Sequence, residues 1–228
     1  MPLTLYTHPL ASYCHKVLIA LYEHGIEFDK RVVNLGEAAE RAELAALWPF
    51  VKFPVLSDHA RGRDVAESSI IIEYLDHHYA GRSLTQMRQT PRLMPDNWEA
   101  AQEVRLWDRI FDNHVQGPMQ QIVGDRLRNA NGDMSGERST LKTAYAMIDR
   151  HMAGRTWVAG QNFSMADCAA VPALFYAVTL EPFPDGADHL KAYFDRLMER
   201  PSVRRVMEEA KPFFSFYPSV EGIPERFR

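Results

Sequence analysis

Val51-Lys52-Phe53-Pro54-Val55-Leu56, then Asp58 to Gly62, then Arg63-Asp64-Val65 and Glu67-Ser68-Ser69-Ile70-Ile71-Ile72-Glu73-Tyr74-Leu75 form the stretch on which the fold turns. Two short β-prone runs, Pro54-Val55-Leu56 and Arg63-Asp64-Val65, flank a turn-prone segment and predict a hairpin. The apolar periodicity from Ser68 to Tyr79 predicts a helix. Toward the N-terminus, Leu3 to Tyr6 predicts a strand, and Val17 to Tyr22 a helix. Glu23-His24-Gly25 stops that helix, because glycine takes positive φ without a Cβ clash. Phe28 to Leu35 predicts a second strand, and Glu37 to Trp48 a helix carrying Ala42, Ala45 and Ala46. The order is βαβαββα, a small α/β domain over residues 1–80.

Beyond it the grammar changes. Gly81 to Pro95 is polar, with Gly and Pro and no sustained period, and predicts a linker over 81–95. Residues 96–228 predict helices throughout. Asp96 with Glu99 has the spacing of a capping signal, followed by Trp107, Ile110, Phe111 and Val115 at helical intervals. Leu141, Ala144, Tyr145, Ile148 and Met152 form one further stripe, and Leu190, Tyr193, Phe194, Leu197 and Met198 another. Pro201 suits the first position of a last short helix. Gly117-Pro118 predicts a kink or break, since proline lacks the N–H and clashes with the preceding turn.

Composition narrows the function classes. Of 228 residues, 46% are apolar and 25% charged, the balance of a globular protein with a sizeable core. A net charge of -4 gives no electrostatic reason for a nucleic-acid or anionic-membrane partner. No window approaches the ~20 consecutive apolar residues of a membrane span. The start, Met-Pro-Leu-Thr-Leu-Tyr, lacks the features of a signal peptide. Cys14 and Cys168 match no metal-ligand spacing, so no metal is expected. Both are expected as thiols in a reducing compartment, with cytoplasm the simplest address.

With its motifs in this order, the chain resembles the soluble glutathione transferases, of a bacterial serine/cysteine-type class. Val51 to Leu56 is similar to the family segment in which a cis-proline opens the third strand. Glu67 to Leu75 resembles the acidic-Ser motif and its helix, and Phe163-Ser164-Met165-Ala166-Asp167 the capping box of a buried helix in the second domain. The resemblance implies a thioredoxin-like glutathione-binding N-terminal domain and an all-α C-terminal domain carrying a hydrophobic co-substrate site.

It also implies roles. Pro54, which alone would read as trans because only ~5–6% of X-Pro bonds are cis, becomes cis. The backbone of Phe53 then pairs with the cysteinyl part of glutathione like a strand. The Ser68 hydroxyl and N–H hold the γ-glutamyl carboxylate at a helix start, and Glu67 its ammonium group. Ser68 would serve equally as a plain helix cap. Lys52 is within reach of the glycyl carboxylate, or simply solvated. Trp107, Phe111, His114 and the tail Phe213 to Tyr217 are candidates for the apolar pocket, with core packing the competing role for Trp107 and Phe111. Glutathione serves as co-substrate with no further cofactor, beside a small hydrophobic electrophile, in a homodimer.

The chemistry requires a thiolate. A thiol with a pKa near ~8.5 is only a few per cent ionised at neutral pH, and each unit of depression needs about 1.4 kcal/mol of anion stabilisation. A charge-assisted hydrogen bond and a helix N-terminus together supply a unit or two. Ser12, where the first helix should begin, leads as donor and could equally be an N-cap. The position that carries Ser or Cys in several classes falls on Ala11. Tyr6, at the end of the first strand, stands where tyrosine-type classes carry their phenol. Cys14 occupies the second position of a CxxC whose first cysteine is replaced by Ala11, which leaves a mixed disulfide with glutathione open.

Overall fold

The computed structural model describes residues 2–80 and 92–228. They fall into two compact units, Met1–Met94 and Pro95–Arg228. In the first unit the elements are β1 (Leu3–Thr7), α1 (Ser12–Glu23), β2 (Asp29–Val32), α2 (Ala38–Leu47), β3 (Val55–Asp58), β4 (Arg63–Ala66) and α3 (Ser68–His78). The order is the βαβαββα read from the sequence.

The sheet runs β2-β1-β3-β4, with β1 and β2 parallel and the remaining pairs antiparallel. On β1, Leu3, Leu5 and Thr7 are buried while Thr4 and Tyr6 are half-buried. Alternation therefore sends Tyr6 and Thr7 to opposite faces. Tyr6 packs with Leu35, Leu47, Trp48 and Phe53 against Val33, Leu44 and Val55, the face covered by α2. Helix α1 lies on the other face, its Val17 to Leu21 all buried. It ends as expected, with Gly25 at φ 60°.

One sequence expectation needs correction. The strand predicted over Phe28 to Leu35 pairs only over Asp29–Val32, because β2 is an edge strand whose ladder ends where β1 ends. Of the linker expected over 81–95, residues 81–91 lie outside the described residues, but Leu93 and Met94 are buried. Asp76, itself buried, accepts from the Leu93 N–H (2.6 Å) and from Arg92 (2.9 Å), and its other neighbour is the buried His24 at 3.3 Å. Burial works against the Asp76 charge, yet these three groups hold its carboxyl below the usual range.

The second unit is helical: α4 (Trp98–Ile110), a π-helical turn (Phe111–Gln116), α5 (Gly117–Leu127), α6 (Ser135–Met152), α7 (Met165–Val178), α8 (Asp188–Met198) and α9 (Pro201–Ala210), then short 3-10 turns. Helix α7 is buried all round from Met165 to Ala177, as expected of a helix with no polar face. The α6 and α8 stripes named above are buried at every position. The cap of α4 is Asn97, whose side chain accepts from the Ala100 N–H (2.9 Å), one residue later than the Asp96 signal. At Gly117-Pro118 the helix widens: the Gly117 N–H reaches back to the Asp112 carbonyl, a five-residue step. The extra residue accommodates a proline that cannot donate at its own position.

Candidate functional site

Register brings the two deciding segments together. Val55 pairs with Ala66 on β3 and β4, so Pro54 and Glu67 stand one residue beyond the same rung. The Phe53-Pro54 bond is cis. Glu67, exposed, is the N-cap of α3 at φ 69° and makes no side-chain cap. A non-glycine residue held there costs about 1–3 kcal/mol of backbone strain. Val51, on the converging segment, also has positive φ, 52°. The first ladder bond of α3 runs from the Ile71 N–H to the Glu67 carbonyl, so the N–H groups of Ser68, Ser69 and Ile70 lie ahead of it. Beneath this end, the ammonium of Lys16, 1% exposed, donates to Ser69 Oγ at 2.9 Å. Macrodipole and ammonium together make an anion-favouring end. Lys52 is exposed beside Phe53.

A tight turn precedes α1. The Ala11 N–H donates to the His8 carbonyl (3.0 Å), with Pro9 at the position where its fixed φ suits the turn. The Leu10 N–H donates to His8 Nδ1 (3.3 Å), and His15 Nε2 binds the Pro9 carbonyl (2.6 Å). The His8 ring lies parallel to Phe53, centroids 5.7 Å apart and planes 10° apart. Burial lowers its pKa from the usual value.

The three proposed thiol activators fare differently. Ser12 is the first residue of α1 and buried; the N-cap is Ala11, so the simple capping role does not apply to Ser12. Cys14 is wholly buried, and burial pushes its thiol up to about 12, with the Thr7 hydroxyl and the His8 backbone opposing. A thiol that is neither ionised nor accessible is unsuited to exchange. Tyr6 packs on the α2 face, away from the start of α1, and desolvation raises its phenol pKa.

The family model described as "Glutathione S-transferase, N-terminal domain" matches residues 5–83, and its C-terminal-domain counterpart matches 134–201. The chain belongs to the glutathione S-transferase family. It is 28% identical over 218 residues to glutathione S-transferase 3 of Zea mays, covering 90% of this chain and 93% of the relative. It is 26% identical over 211 residues to a stringent starvation protein A homolog of Coxiella burnetii, covering 92% and 93%. A glutathione S-transferase structure from Methylobacillus flagellatus with GSH bound superposes at a TM-score of 0.72. That match covers 90% of this chain and 98% of that one at 22% identity, a likeness of fold.

In the second unit the pocket residues named from the sequence separate. Trp107 packs on His151, centroids 4.0 Å apart, and Phe111 is fully buried; both are core. A stripe of large apolar residues on an amphipathic helix faces its own neighbours first. His114 is exposed in the π-helical turn. In the tail, Phe214 stacks on Phe175 and Tyr217 bonds Thr179, while Phe213 and Phe216 are exposed. Ser164 and Asp167 form the expected capping box, and both cysteines are free and buried. Among the described residues no group of His, Cys, Asp and Glu is suited to a metal, and no helix is long and apolar enough to cross a membrane. Sequence reasoning missed Lys16 and His8. The signal for Lys16 was a lone cation among the apolar residues of α1; His8 had no local signal.

Proposed function

We propose that this chain binds glutathione and presents its thiolate to small apolar electrophiles. One observation carries the reading: the Phe53-Pro54 edge and the uncapped start of α3 meet across one strand pair. There the Phe53 backbone pairs with the cysteinyl unit, Ser68 takes the γ-glutamyl carboxylate, Glu67 the ammonium, and Lys52 the glycyl carboxylate. The sulfur then faces the start of α1, where Ser12 supplies a hydroxyl and the helix end a favourable field. Orientation and anion stabilisation are the contributions of the protein; glutathione is the nucleophile. The reading includes a cytoplasmic homodimer, for which the exposed ring of Phe50 is available.

The burial of Cys14 disfavours thiol-disulfide exchange through its own sulfur. An assay of glutathione with an aryl halide, a conjugate acceptor and a disulfide tests the proposal. Conjugation that persists in Cys14→Ala supports it. Tight glutathione binding with no turnover on any substrate would favour a non-catalytic role.

A further inference from the structure

His8 belongs to the turn that leads into α1, and nothing in the reading above uses it. Its Nδ1 accepts the Leu10 N–H at 3.3 Å, so the proton of the neutral ring sits on Nε2. With Nδ1 engaged within its own turn, Nε2 is the ring nitrogen that carries the donor. The ring is fixed from a second side by its parallel stack on Phe53, the residue assigned to hold the cysteinyl backbone. The donor is therefore oriented by two independent contacts before any ligand arrives.

We propose that His8 is a catalytic residue whose Nε2–H donates a hydrogen bond to the glutathione thiolate, alongside Ser12. This rests on the glutathione reading above. The S–H bond breaks and its proton passes to solvent water. The electron pair left on sulfur forms the new bond to the electrophilic carbon, whose leaving group departs with the bonding pair. The imidazole keeps its own proton throughout and acts only by stabilising charge. Burial, which depresses the His8 pKa, keeps the ring neutral near pH 7 and so preserves this tautomer. The titratable neighbours in the turn and α1 do not compete: Cys14 is uncharged with its thiol at about 12, and His15 Nε2 is engaged by the Pro9 carbonyl.

The test is the pKa of bound glutathione, read from the ultraviolet absorbance of its thiolate, with affinity measured separately by calorimetry at a pH where the thiol is protonated. His8→Asn keeps an acceptor for the Leu10 N–H but is too short to reach the sulfur. His8→Gln puts an amide N–H near the place of Nε2. The expected result for His8→Asn is about ten-fold less thiolate at a given pH, the order of one charge-assisted hydrogen bond, with affinity within about two-fold of wild type. His8→Gln restores most of the ionisation. A thiol pKa unmoved in His8→Asn overturns the proposal, and so does a loss of affinity without a change in ionisation, which makes His8 a brace of the turn. Should His8→Asn fail to fold, His8→Phe, which keeps the stack without the donor, is compared with His8→Gln in its place. If the wild type binds no glutathione, the reading of the site itself fails, an outcome distinct from either.

Discussion

The starts of α3 and α7 each set a serine beside an acidic residue, and the two are opposites. At α7, Asp167 is fully buried and accepts from the Ser164 N–H and hydroxyl, the Val158 N–H and the Tyr193 hydroxyl. At α3, Glu67 is exposed, makes no cap and holds a positive φ. The first arrangement satisfies its donors internally and contributes to stability. The second leaves a helix end and a strained backbone position beside β4, an edge strand of the sheet. On the proposed function, the contrast separates a serine that is part of the framework from one that binds ligand.

The sharpest way to break this comparison is at its stable side. Asp167→Ala leaves four buried donors without their acceptor, and about 3–5 kcal/mol of unfolding free energy should be lost, measured by urea titration. A loss below about 1 kcal/mol would remove α7 as the reference.

The far end of α3 tests the same helix where it is internally paired. Asp76→Asn should lose about 2 kcal/mol at pH 7. Because the folded Asp76 pKa lies below its unfolded value of about 3.9, its contribution is present above that value and is lost as pH falls through the folded pKa. Stability curves of wild type and Asp76→Asn should therefore converge in acid; parallel curves would contradict the pairing.

At Glu67, replacement by glycine relieves the left-handed backbone at an exposed position. Glu67→Gly should raise stability by about 0.5–1 kcal/mol while weakening glutathione binding, a trade expected of a strained site. Asn129, at φ 50° in the turn after α5, provides the control. Asparagine tolerates that region, so Asn129→Gly should change the unfolding free energy by less than about 0.5 kcal/mol.

The sequence disclosed what local patterns encode. Element order, the α6 and α8 stripes, the break at Gly117-Pro118 and the Ser164-Asp167 box depend on neighbours within a few residues. What stayed hidden depends on distant partners. His8 is oriented by Phe53, and Asp76 by His24 and Leu93. Tyr6 is a candidate thiol activator until the faces of β1 are assigned, and that assignment puts it on the α2 side. Trp107 and Phe111 have the size and spacing of pocket and core residues alike, and the core packing expected of them is what the structure has. The edge position of β2, which shortens that strand, is likewise a property of the assembled sheet.

The central claim is that the start of α3 grips a carboxylate of glutathione. Isothermal calorimetry with glutathione on wild type and Ser68→Ala tests it most directly, with urea unfolding as a check that the variant is intact. The account predicts saturable one-site binding by the wild type and an affinity at least about ten-fold weaker in Ser68→Ala, at a stability changed by less than about 1 kcal/mol. No binding by the wild type, or equal affinity in the two proteins, would contradict it.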